Sequence, residues 1–210
     1  MNNSQKNSKS ILGFFYQAER LKSTIRFSEE PEALRDSSAA HSWKLTLMVM
    51  IMADELKLEI NVEKAIRMAI IHDLAESITG DIDHILIVQG KISKEDKRKA
   101  EEQAMNKIKK SLPKKIGQDI YDLWQEFEKG LTKEAKFVKA LDKIEAMIRF
   151  LEGGHKVWHD NPESIPIHAD KAVKYFPQLE GILRIIKQDM KKEFKKGGIP
   201  WEEKYNKFLT

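Results

Sequence analysis

The sequence predicts an all-α protein, and three observations carry that prediction. Ten glycines and six prolines in 210 residues leave long uninterrupted segments. No sustained stretch alternates apolar and polar residues as a half-buried strand does, while apolar residues recur at helical spacing along most of the chain. Capping residues stand where those periodic segments begin.

In chain order, residues 11–24 read as an amphipathic helix, followed by the polar loop "SEEPEALRDSS". Ser37 or Ser38 can cap a long helix running to about Leu56. On it His41, Leu45, Met48, Met52 and Leu56 share one face. Asn61 caps the next helix, "AIRMAIIHDLAESITGD", which holds the pair His72-Asp73 and closes at Gly80. The string "SKED" at 93–96 resembles a capping box and opens a charged helix to about Leu112. Another helix, "PKKIGQDIYDLWQEFEKG", ends at Gly130. Thr132 caps the next, whose face Phe137, Leu141, Ile144, Ile148 and Leu151 faces the core. Asn161-Pro162 and Pro177 mark later helix starts.

Composition narrows the function classes. With 41% hydrophobic residues the chain can build one substantial core. It has no cysteine, so a metal would be held by His, Asp or Glu. The 37 basic and 33 acidic residues are interspersed and net only +4, which argues against a nucleic-acid partner. The polar start "MNNSQKNSKS" and the short apolar "ILGFF" after it supply neither a signal segment nor a membrane span. The expectation is a cytoplasmic protein with no membrane partner. The lysine-rich run "KQDMKKEFKKGG" reads as a solvated helix face.

Chemistry concentrates around His72-Asp73, two ionisable residues inside an oily segment where such groups are costly unless paired or metal-bound. His41 lies 31 residues upstream of His72, Asp142 lies 69 residues beyond Asp73, and Glu76 and Asp81 follow closely. Two imidazoles and two carboxylates suit a borderline or hard divalent ion: Mn, Co, Fe, Ni, Zn or Mg. If the helix runs on through the pair, Asp73 shares a register with Ile66 and Ile70 on the buried face, and His72 is rotated about 100° from it. Three helices would then converge their polar residues on one interior point. Each residue also has a plain alternative. His41 can be a hydrogen-bonded core histidine, Asp142 a partner of Lys143 or Lys139, and Asp73 a partner of Arg67. Taken jointly, those alternatives need four buried polar exceptions with no shared purpose.

The order His41…His72-Asp73…Asp142 resembles the H…HD…D signature of the HD-domain metal-dependent phosphohydrolases. The strings "LKSTIRF", "SSAAHSWKLTLMVM", "IIHDLAESITGDI", "ISKEDKRKAEEQAM" and "LWQEFEKGLTKEAKFVKALDKIEAM" are similar to the small HD proteins that act as 5′-nucleotidases on deoxyribonucleoside monophosphates. That resemblance covers roughly residues 11–152. It implies an HD-domain helical bundle with the metal site buried between helices. The whole chain, 1–210, would form one domain, its C-terminal helices at 160–210 packing on the core or at a dimer interface.

Carried over residue by residue, the resemblance implies that His41, His72, Asp73 and Asp142 bind one divalent metal. Arg26 matches the phosphate-binding arginine, and Glu76 and Asp81 match the catalytic acids. Phe27 stands where close relatives carry a sugar-sensing tryptophan, and Ala40 replaces the glutamate usual before the first metal histidine. The chemistry suits those roles. A metal neutralises phosphoryl charge and lowers the pKa of water, a guanidinium forks onto phosphate, and a carboxylic acid protonates the leaving alkoxide. Asp81 is assigned as that acid and Glu76 as the group that orients or deprotonates water.

His84, His155, His159 and His168 read as surface or supporting residues, and Trp158 as a core residue, with a pocket mouth or subunit contact as its alternative. Apolar surface at Trp158, Phe176 and Trp201, together with the resemblance, implies a homodimer. Two other functions compete with the nucleotidase reading. One is an HD hydrolase acting on a phosphodiester or an alarmone-type pyrophosphate, which the lack of a further histidine near Glu76 disfavours. The other is a non-catalytic nucleotide-binding helical module, which would have no need of Glu76 and Asp81.

Overall fold

The computed structural model describes residues 2–28, 30–82, 86–87, 89–158 and 162–209. His84, His159 and Asn161, named above, lie outside them. Helix α1, Asn3–Ala18, starts eight residues before the expected position because Asn2 and Gln5 exchange side-chain and backbone hydrogen bonds. It gives way to a 3₁₀ turn at Glu19–Lys22 rather than continuing to residue 24. Two short strands follow, β1 (Ile25–Arg26) and β2 (Asp36–Ser37), paired antiparallel with Arg26 opposite Asp36. Strands this short hold too few residues for period-2 alternation to register.

Helix α2, Ser38–Glu55, is capped by Ser37, whose side chain accepts from the Ala40 N–H. Its fully buried row runs through Ser38, His41, Leu45, Val49 and Ala53. Met48, Met52 and Leu56 sit half-buried on the flank of that row.

Helix α3, Val62–Ile71, carries the Asn61 cap and buries Ala65, Met68 and Ala69. It stops one residue before His72, which corrects the expected register. Ile70 is 53% exposed, so Asp73 does not extend a buried Ile66–Ile70 stripe. Residues 72–75 instead form tight turns, with Leu74 donating to Ile71 O and Glu76 to Asp73 O. The short α4, Glu76–Thr79, then ends at Gly80, whose φ of 72° suits a residue without a Cβ.

Helix α5, Lys94–Ser111, opens on the Ser93 cap as expected. Helix α6, Lys114–Lys129, ends at left-handed Gly130, and α7, Lys133–Gly153, opens on Thr132. Where α6 crosses α5, a Cβ on Gly117 would lie 2.2 Å from the Lys109 carbonyl oxygen, so the crossing requires glycine. On α7, Phe137, Leu141 and Ile144 are fully buried while Ile148 and Leu151 are partly covered.

Beyond Gly154 the chain folds back over α7. Helix α8, Asp170–Val173, and helix α9, Glu180–Lys196, bring Val173, Leu183, Ile186 and Met190 into the main core. The lysine run on α9 is not wholly solvated. Lys187 is fully buried, its ammonium 2.7 Å from Asp170 and donating to the carbonyls of Tyr205 and Lys207 at 3.3 and 2.8 Å. Met190 and Phe194 are buried beside it. The aromatic residues expected to offer apolar surface are likewise used within the chain. Phe176 packs on Phe137, while Trp158 and Trp201 both pack against Phe194.

Two apolar clusters result. The main one joins α2, α3, α7 and α9. The second, around Leu74, Ala75, Met105, Ile108 and Trp124, joins α4, α5 and α6. The His72-Asp73 turn lies where one gives way to the other.

Candidate metal centre

Three elements meet at this junction: α2 with His41, the turn after α3 with His72 and Asp73, and α7 with Asp142. The Nε2 atoms of His41 and His72 are 3.1 Å apart. Asp73 Oδ2 is 3.1 Å from His72 Nε2 and 3.7 Å from His41 Nε2. Asp142 Oδ1 is 3.3 Å from His41 Nε2. Three of the expected ligands, His41, His72 and Asp73, bring ligand atoms within 4.8 Å of one another, and Asp142 borders them through His41. The break in the helix is what lets adjacent residues 72 and 73 both reach this group.

The second nitrogen of each ring is already engaged. His72 Nδ1 lies 2.9 Å from the Ala69 carbonyl, to which it can only donate. His41 Nδ1 lies 2.6 Å from Glu145 Oε2. With Nδ1 turned outward in each ring, both Nε2 atoms face inward, where they can share a proton or bind a cation. Burial disfavours charge on His41, but hydrogen bonds to Asp142 and Glu145 outweigh it and raise its pKa to about 9. Burial would raise Asp73, yet His72, His41 and Arg26 hold its carboxyl below the ordinary range. Asp142 is likewise held low, against burial, by Lys143 and His41. Two imidazoles beside two ionised carboxylates fit a divalent ion.

The remaining expected residues border this centre. Arg26, on β1, places Nη1 3.5 Å from Glu145. Burial works against its charge, while Asp73, Glu145, Asp142 and Asp81 sustain it. Its guanidinium lies 4.9 Å from the ring of Phe27. Phe27 has φ 56°, an uncommon conformation for a bulky residue, and its ring meets Phe150 edge-on at 5.2 Å. Glu76 is 5% exposed and accepts a 2.6 Å hydrogen bond from Ser38. Burial, then Asp73 and Asp81, push the Glu76 carboxyl well up. Asp81 is also raised by burial, opposed by Lys97 and by a hydrogen bond with Glu76. The two adjacent acids can therefore share one proton.

Four neighbours escaped the sequence reading. Glu145, three residues after Asp142, is fully buried. Ser38, one turn before His41, fixes Glu76. Lys97 on α5 donates to the Ile82 carbonyl at 3.3 Å and lies 3.6 Å from Glu101. Burial lifts the Glu101 carboxyl to about 7 despite that lysine. A charged residue on a core-facing helix row was the available signal for Glu145; nothing local marks Lys97 or Glu101. His155 pairs with Glu193 at 2.9 Å.

Comparison with known proteins shows what the chain resembles. A family model described as an HD domain matches residues 18–182. The 5′-deoxynucleotidase HDDC2 of Xenopus laevis is 36% identical over 150 residues, covering 69% of each chain. The human protein of that name is 33% identical over 142 residues, 68% of this chain and 64% of the relative. This chain thus spans about two thirds of those relatives. The 5′-deoxynucleotidase hdd1 of Schizosaccharomyces pombe is 32% identical over 190 residues, 86% of this chain and 90% of the relative. Among solved structures, one described as a predicted metal-dependent phosphohydrolase from Magnetospirillum magnetotacticum superposes with TM-score 0.76 at 20% identity, over 95% of this chain and 99% of that one. At that identity the likeness concerns the fold. A protein from Pyrococcus furiosus gives TM-score 0.66 at 27% identity, over 84% and 99%.

Proposed function

This chain belongs to the HD-domain family, and from that premise we propose that it is a metal-dependent phosphomonoesterase releasing phosphate from deoxyribonucleoside 5′-monophosphates. The observation that carries the reading is the pair of Nε2 atoms 3.1 Å apart, flanked by two carboxylates and by a nearby buried guanidinium. The relatives' names point to the same chemistry.

In this reading His41, His72, Asp73 and Asp142 hold one divalent ion. When bound, that ion supplies charge neutralisation at the phosphoryl oxygens and a lowered pKa for water. Arg26 grips the phosphate with two N–H donors on one plane, which a lysine cannot offer. Phe27 holds the guanidinium on one side and walls the sugar on the other. Glu76, kept in place by Ser38, orients water and takes its proton. Asp81, the more exposed of the two acids, delivers a proton to the departing 5′-oxygen. Their hydrogen bond lets the proton gained by one replace the proton lost by the other.

The decisive experiment is a phosphate-release screen over nucleoside mono-, di- and triphosphates and cyclic nucleotides, with Mn, Co, Fe, Ni, Zn and Mg in turn. Deoxyribonucleoside 5′-monophosphates should be cleaved fastest. Exclusive cleavage of a cyclic or pyrophosphate bond would overturn the reading.

The assembly belongs to the same proposal. On the outer face of α2, Trp43 and Ile51 are 66% and 62% exposed, with Leu47 and Met50 beside them. One helical stripe of that size is matched by a second copy of itself about a two-fold axis, so the active form is a homodimer. No helix among the described residues is long and apolar enough to cross a membrane, and we place the enzyme in the cytoplasm, in keeping with its lack of cysteine.

A further inference from the structure

Glu145 belongs to no expected part of the site, yet it touches both halves of it. It is fully buried on α7. Its Oε2 lies 2.6 Å from His41 Nδ1 and 3.5 Å from Arg26 Nη1. Its Oε1 lies 3.6 Å from the ammonium of Lys44. A buried carboxylate costs several kcal/mol unless cations and donors surround it, and here three come from different places: β1, the inner face of α2 and its rim. Arg26 and His41 are 119 and 104 residues distant from Glu145 in sequence, so no local structure accounts for the convergence.

We propose that Glu145 is a positioning residue shared by the two halves of the site, its single buried carboxylate setting both the metal-facing orientation of His41 and the place of the phosphate-gripping Arg26. One anion then fixes the spacing between the cation seat and the guanidinium, which is the spacing a phosphoryl group must span. His41 and Arg26 meet the same oxygen, Oε2. A glutamine whose carbonyl takes that place would still accept from His41, but it offers Arg26 no charge and turns an NH₂ group toward the Lys44 ammonium. Filling volume alone would call for no charge. This inference rests on the metal-dependent phosphatase reading above.

The test is Glu145→Gln beside wild type, with two binding measurements. The first is cobalt affinity by competition with a chromophoric chelator. The second is inhibition by inorganic phosphate at saturating metal. The variant should bind cobalt about 10–100-fold more weakly, the usual scale for losing a histidine's outer partner. Phosphate inhibition should weaken about tenfold, the scale of one charge-assisted hydrogen bond, with KM rising more than kcat falls. Weaker cobalt binding with phosphate inhibition within twofold would make Glu145 an ordinary histidine orienter and overturn the shared role. Both within twofold would make it filler and overturn the proposal outright. A wild type that binds no metal would sink the phosphatase reading itself, separating that failure from this one. If Glu145→Gln does not fold, Arg26→Met read on cobalt affinity takes its place. Leaving Glu145 to His41 and Lys44 should tighten cobalt at least about threefold, and unchanged affinity would overturn the link.

Discussion

His41 and His72 point their Nε2 atoms at each other across 3.1 Å, while their Nδ1 atoms are bound to Glu145 and to the Ala69 carbonyl. With Asp73 beside them, these inward nitrogens can serve as a cation seat. A chelator should therefore abolish phosphatase activity, and a transition metal should restore it. Asp73→Ala should lose both metal and activity, read by elemental analysis and phosphate release. Retention of one metal per chain at unchanged affinity would mean the seat lies elsewhere.

Glu76 and Asp81 border the seat without being needed to fill it. Glu76→Gln and Asp81→Asn should each cut turnover about 100-fold or more while leaving metal content near that of wild type. Loss of metal in either variant would make that residue a ligand.

Phe27 turns its ring toward Phe150 and Arg26, where it can crowd a 2′-hydroxyl. Wild type should favour deoxyribonucleotides over their ribose counterparts, and Phe27→Ala should narrow that preference. Paired rate measurements on both sugars decide it, and equal rates in wild type would remove the sugar-sensing role.

The exposed α2 stripe should report itself in mass. Light scattering at micromolar concentration should give about twice the 24.4 kDa chain mass, and Ile51→Glu should shift the protein toward monomer by placing a charge in an apolar interface. A wild-type monomer at that concentration would discard the dimer and leave the catalytic proposal standing.

Acid stability offers a separate check on the C-terminal region. Lys196 and then His155 hold the Glu193 carboxyl down from 4.5 to about 2. A depressed folded pKa contributes stability that is complete above about pH 4.5 and is lost as pH falls toward 2. Glu193→Gln should therefore be destabilised at pH 7 by about 1 kcal/mol or less, because the Lys196 partner is exposed. Melting curves of variant and wild type should converge near pH 2. A gap that persists there would assign the effect to packing.

The starts of α2, α3, α5 and α7 were legible because caps are local chemistry: Ser37, Asn61, Ser93 and Thr132 each satisfy an orphan N–H three residues on. The end of α3 was not legible, since the apolar period continues unbroken through Ile71 and Leu74 while the backbone turns. That register puts Asp73 on a stripe with Ile70, whereas the residue lies in a turn beside His72 and His41. Glu145 stands on the core-facing row of α7, one turn after Leu141, which marks it as unusual, but its partners lie more than a hundred residues away and only the fold identifies them. Lys187 was hidden the same way, in a run whose other lysines do face water. Strands β1 and β2 were too short to leave a pattern, yet they place Arg26 beside the start of α2.

The seat of Lys187 also implies an order of assembly. Its ammonium is satisfied by Asp170 on the upstream side and by the carbonyls of Tyr205 and Lys207 downstream. During synthesis α9 therefore emerges with a lysine on its inner face and only one of its three partners in existence. Docking it at that moment would bury an ammonium with two donors unmet, so α9 waits for the eighteen to twenty residues that follow. The core of α2, α3 and α7 can be in place before then. A chain cut before residue 205 should accordingly leave α9 more loosely held than the core, with faster amide exchange along it.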